Sequence, residues 1–235
     1  MKTLPYYLGA GLAVIVVMGV GPATADQSPA PQNPPSQGRG RGAALAEQEQ
    51  KTGVRLELAE GSRATYRVRE QLAGISFPSD AVGSTADVTG VLVIRPDGSL
   101  DAALSRIIVD LRTLKSDQDQ RDGFIRGPRG LSTEKFPTAE FAPREAKGLP
   151  WPFPSQPPTQ AGFQLVGPMT VYGNTADVTW NVVSTFNPQQ VAGRAETSFT
   201  FDTFKIPKPQ LARLLSVDDT IKLEVDLRFR RLPGS

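Results

Sequence analysis

From about residue 53 onward, apolar and polar residues alternate with the two-residue period of strands that bury one face. In "TIKLEVDLRFRRL", Ile221, Leu223, Val225, Leu227 and Phe229 share one parity, and Lys222, Glu224, Asp226, Arg228 and Arg230 hold the other. "RATYRVREQL" sets Ala64, Tyr66 and Val68 against Thr65, Arg67 and Arg69. "FQLVGPMTVYG" aligns Phe163, Leu165, Met169 and Val171, and "TADVTWNVVSTF" aligns Ala176, Val178, Trp180, Val182 and Phe186. "ADVTGVLVI", "RIIVDL" and "AETSFTFDTF" read as further strands with less clean faces. Turn signals separate these segments: "PDGS" at 96–99, "GN" at 173–174 and "NPQQ" at 187–190. The count comes to about eight strands, and their short connections favour antiparallel pairing. Many strands with one apolar face each predict an all-β barrel or sandwich.

Helical signals are few. "SDQDQRDGFIR" reads as a short helix with Ser116 as its N-cap and acids in its first turn. "KPQLARLLSVDD" reads as one or two turns with Leu211, Leu214 and Leu215 turned inward.

The N-terminus has a different pattern. Lys2 is the only charge before Asp26, residues 8–20 are apolar, and Ala23-Thr24-Ala25 fits a small-x-small cleavage site. This predicts a signal peptide over 1–25. A membrane span needs roughly 20 apolar residues and this run is shorter, so an uncleaved anchor is the alternative. Export would place the protein in a secreted or periplasmic location. Residues 26–52 are dominated by Pro, Gln, Ser and Gly, which predicts a disordered linker. A second Pro-rich stretch, 149–162, lies between strand-like segments and reads as a loop within a single domain over 53–232.

Composition narrows the chemistry. The 235 residues include no histidine and no cysteine. That removes the commonest general base, thiol nucleophiles, disulfides and thiolate metal sites. The net charge is +2 and no dense basic run is interleaved with aromatics, so nucleic-acid binding is not expected. "SDQDQRDG" fails as a calcium loop, because a register starting at Asp117 puts Arg121 where an oxygen ligand belongs. Asp122, Glu134 and Glu140 are carboxylates with no sign of pairing, and the default role of Arg121 beside Asp122 is to order the loop. "GPRG" at 127–130 lacks the strand and helix of a phosphate loop, and a Ser132–Lys135 pair is a weak nucleophile signal. No catalytic residue, metal site or cofactor is expected.

The order of motifs resembles the YceI-like family. "GVLVIRPDGSL" (90–100), "SRIIVDLRTLKSDQDQRDGFIRG" (105–127), "KFPTAEF" (135–141), "GPMTVYGNTADV" (167–178) and the closing "FKIPKP…VDDTIKLEVDL" carry the likeness, which spans about 53–232. Two stretches depart from it: "AGISFPSDAVGST" (73–85), where many members have a histidine and a shorter link, and the Pro-rich loop. The resemblance implies an extended antiparallel, lipocalin-like β-barrel around an apolar channel, and a secreted, non-enzymatic carrier of a lipid or isoprenoid chain. Strand parity then nominates Tyr66, Val68, Ile107, Val109, Leu111, Phe163, Leu165, Met169, Trp180 and Phe199 as channel lining. Phe124 and Phe136 are expected to guard the opening. The expected partner is an amphiphilic lipid or isoprenoid; a homodimer and proximity to a membrane surface stay open. Two other readings compete: an interaction module with a filled barrel, and an enzyme on a lipophilic substrate using Arg121, Asp122 or Glu140.

Overall fold

The long alternating segments pair edge to edge into one antiparallel sheet. The computed structural model describes residues 37–74, 76–154, 157–212 and 214–234. The expected signal peptide and the linker as far as residue 36 lie outside them. Among the described residues twelve strands are formed. They are β1 (Val54–Leu58), β2 (Arg63–Leu72), β3 (Ser79–Thr85), β4 (Val88–Ile94), β5 (Arg106–Asp110) and β6 (Lys115–Ser116). These are followed by β7 (Thr138–Phe141), β8 (Glu145–Lys147), β9 (Thr159–Val171), β10 (Asn174–Phe186), β11 (Gln190–Thr200) and β12 (Leu214–Pro233). Helix α1 spans Gln37–Thr52 and α2 spans Asp119–Arg126.

Eight strands close a ring in the order β1-β4-β5-β7-β9-β10-β11-β12, with β12 pairing back onto β1. The 20-residue β12 reaches beyond this ring. Its first half pairs with β2, which carries β3 and then β6, so one end of the barrel has a taller wall. The alternation read from the sequence survives in burial: along β10, Val178, Trp180, Val182 and Phe186 are buried while Thr179, Asn181 and Val183 are exposed.

Two expectations fail here. Residues 37–52 are helical, not disordered. Ala43, Ala44, Leu45 and Ala46 favour a helix, Glu47 and Lys51 pair one turn apart, and Gly53 with φ +73 ends it. Tertiary contact then fixes it. Glu49 is buried, pairs with the buried Arg231 of β12, and accepts a hydrogen bond from the Phe153 N–H at 3.0 Å. The second failure is the helix expected over residues 208–219. Leu214 and Val217 belong to β12 and pair with Leu72 and Glu70 of β2. Extending an existing sheet satisfies their backbone groups more fully than an isolated turn. Leu215 consequently faces outward, at 66% exposure, while Leu211 precedes the strand and is 43% exposed.

The barrel is filled at the end where α1 docks. There Phe153, from the Pro-rich loop, packs against Phe186 at 5.0 Å between ring centroids and against Trp151 at 5.4 Å. Leu56, Ile94, Val191 and Phe229 complete that core. Toward the taller end the interior opens.

Candidate ligand-binding cavity

A cavity of about 940 Å³ runs from the middle of the barrel to the end covered by α2. That is near the top of the roughly 300–1,000 Å³ range of small-molecule sites. Its walls come from the inward parity of the strands: Val68 of β2, Ile107 and Val109 of β5, Leu165 and Met169 of β9, Trp180 of β10. Leu223, Val225 and Leu227 of β12 close the far side, and Leu111 and Phe199 contribute from the ends of β5 and β11.

Of the twelve nominated residues, nine of the ten expected as lining and one of the two expected guards border this space: Tyr66, Val68, Ile107, Val109, Leu111, Leu165, Met169, Trp180 and Phe199, with Phe124. The other two sit elsewhere. Phe163 faces inward but lies toward the filled end, 6.2 Å from the Phe186 ring, because parity fixes the face of a strand and not the depth. Phe136 does not guard the opening. Its ring packs on Tyr172 at 5.0 Å and lies against the backbone of Gly173 at the β9–β10 turn. A Cβ at Gly173 would come within 2.5 Å of that ring, so the glycine makes the seat.

Phe124, by contrast, does border the cavity from α2, with Ile125 and Leu131 beside it. The bend before α2 is fixed from within. Asp122 is buried, and its carboxylate accepts hydrogen bonds from the Ser116 N–H and the Ser116 hydroxyl, both at 2.7 Å. The N-cap is Gln118, so Ser116 holds the turn rather than capping the helix. Arg126 donates to the Leu114 carbonyl at 2.9 Å and ties the other end of α2 down.

Polar lining side chains gather at this end. Glu70 continues the inward stripe of β2 beyond Tyr66 and Val68, a position that the sequence parity also marks. Its carboxylate pairs with Arg121 of α2 at 2.9 Å, with both groups mostly buried. Arg121 also pairs with Asp117. Gln118, Gln120 and Arg129 border the same space, Arg129 lying 5.8 Å from the Phe124 ring centroid. The Tyr66 ring leans over Gly83 of β3, where a Cβ would come within 2.4 Å of it. Burial pushes the Tyr66 phenol well above its ordinary range; Asp122, Glu70 and Asp117 push the same way against Arg121, so it stays neutral. Glu140 turns outward and pairs with Arg106 on the solvent side. Asp122 is held by Ser116 and Arg121 by Glu70 and Asp117, so the three residues of the enzymatic reading form no single constellation, although Arg121 and Glu140 border the cavity. The filled-barrel reading describes only the α1 end.

Comparison with known proteins agrees with this architecture. Residues 58–229 match the model of the YceI-like domain. No curated protein sequence matches the chain. Among solved structures, a polyisoprenoid-binding domain from Saccharophagus degradans, implicated in plant cell wall breakdown, is similar at a TM-score of 0.58 and 11% identity. The similarity covers 76% of this chain and 98% of that one. BcnA of Burkholderia cenocepacia is similar at a TM-score of 0.54 and 15% identity, over 71% of this chain and 95% of that one. The Campylobacter jejuni YceI protein follows at 0.51 and 11%, over 68% and 90%. At these identities the structural likeness speaks for the fold.

Proposed function

The chain belongs to the YceI-like family, and we propose that it is a non-enzymatic carrier that holds a lipid or isoprenoid chain in its half-hollow barrel. The observation that supports this most is the cavity itself: about 940 Å³, walled by aliphatic and aromatic side chains and open toward one end. Burying hydrocarbon there yields about 0.8 kcal/mol per CH₂, so a long chain needs few polar contacts. The polyisoprenoid-binding domain of Saccharophagus degradans has a similar fold, which favours a chain of this kind as ligand.

The signal-like pattern over residues 1–25 supports an exported carrier. Among the described residues no helix is long and apolar enough to cross a membrane. Outside the barrel such a ligand is nearly insoluble, so the carrier exchanges it at the α2 end, where the cavity opens.

The test is to purify the protein without detergent, extract it with organic solvent and identify the extract by mass spectrometry. A chain-bearing lipid, taken up again by the stripped protein, is the expected result. An empty extract together with no uptake of geranylgeraniol would overturn the carrier reading.

A further inference from the structure

The polar end of the cavity indicates what kind of head group the bound chain carries. A diphosphate or carboxylate head is normally held by cations whose charge is free to meet it. Arg121 is not in that position. Its guanidinium lies between Glu70 and Asp117 and pairs with both. Among the described residues around α2 the carboxylates are Glu70, Asp117, Asp119 and Asp122, and the cations are Lys115, Arg121, Arg126 and Arg129. Arg126 is directed at the Leu114 carbonyl and Arg129 leans over Phe124. Across the opening, Lys205 and Lys208 are paired with Asp202 and Asp219. An incoming anion would therefore meet, at the wall, the Glu70 carboxylate with the Arg121 it already pairs, and besides them the exposed Arg129. At the start of α2 the lining also holds Gln118 and Gln120, whose amides offer both donors and acceptors at no net charge.

Resting on the carrier reading above, we infer that this site selects chains with an uncharged polar head, a hydroxyl or carbonyl, and discriminates against diphosphate heads. Glu70 and Asp117 are the selectivity determinants: they cancel the charge of Arg121, and among the described residues around α2 the cations do not outnumber the carboxylates. The head lies among Gln118, Gln120 and the Arg121–Glu70 pair, and the tail runs inward past Val68 and Ile107 toward Trp180.

The experiment compares geranylgeraniol with geranylgeranyl diphosphate on the stripped full-length protein. Trp151 and Trp180 are the only tryptophans, so Trp151→Phe leaves Trp180 in the cavity wall as the reporter. The alcohol is expected to bind at least about tenfold more tightly than the diphosphate, the size of a like-charge penalty at a partly buried site. Asp117→Asn, at an exposed position, should narrow that ratio while alcohol binding stays within about twofold, and Glu70→Gln should narrow it further. Equal or tighter binding of the diphosphate by the unaltered protein would overturn the head-group inference and leave the carrier reading standing. Binding of neither ligand would remove both.

Discussion

At the residue scale, the ion pair that fastens α1 illustrates how a buried charge is tolerated. Glu49 and Arg231 are both nearly inaccessible, and the pair is supported by the Phe153 N–H, the Asn187 carbonyl and the Phe153 ring. Burial pushes the Glu49 carboxyl above its ordinary value, outweighing Arg231 and the backbone N–H. A carboxyl whose folded pKa is raised contributes stability that is complete below its unfolded pKa. That contribution fades as pH rises from the ordinary value of 4.5 through the folded one. Removing one partner leaves a buried charge, so Arg231→Ala or Glu49→Ala should cost about 3 kcal/mol by chemical denaturation. The double replacement Glu49→Leu/Arg231→Met should cost much less, since no charge is stranded. If the double variant is as unstable as either single one, the account of the pair is wrong.

At the element scale, α1 serves the filled end and not the cavity. Deleting residues 1–52 should remove about 3 kcal/mol with the Glu49 contacts. At roughly 2–4 °C per kcal/mol for a domain of this size, Tm should fall by about 6–12 °C in calorimetry. Ligand affinity should change little, because α1 borders none of the cavity. The strands of the barrel were readable from alternation alone, and β10 and β12 are the clearest cases. The helix was obscured because its Gly and Arg start continues a Pro-rich segment, although "AALAEQEQK" carries its own helical signal. β3 was missed for another reason. "SDAVGST" is small and polar, and its Gly83 is accommodated by the Tyr66 ring, a contact visible only once β2 and β3 pair. Similarly, Leu211, Leu214 and Leu215 carry a helical spacing that sheet extension overrides.

Considered as a whole molecule, the protein is a barrel with one packed half and one hollow half. Parity along the strands identified which side chains turn inward, which is why most of the nominated residues border the cavity. It gave no depth. The filled half depends on Phe153, which comes from a Pro-rich stretch with no strand period, and Phe163 falls on that side. Glu70 was marked by the parity of Tyr66 and Val68, yet its pairing with Arg121 needed the fold. The division predicts a separation of effects. Phe186→Ala, in the packed half, should cost about 3–5 kcal/mol of stability and leave ligand affinity nearly unchanged in titration.

If the hollow half holds the apolar chain, filling that half must block binding. Ala139 is buried on β7 and borders the cavity, so Ala139→Phe adds a ring where the chain should lie. Titrating stripped Trp151→Phe protein with geranylgeraniol should give saturable, one-to-one binding through the Trp180 signal. In the same background Ala139→Phe should weaken that binding about tenfold or more, as excluding a few CH₂ groups requires, while circular dichroism shows the barrel still folded. A folded Ala139→Phe protein that binds the chain as tightly as its parent would contradict the account.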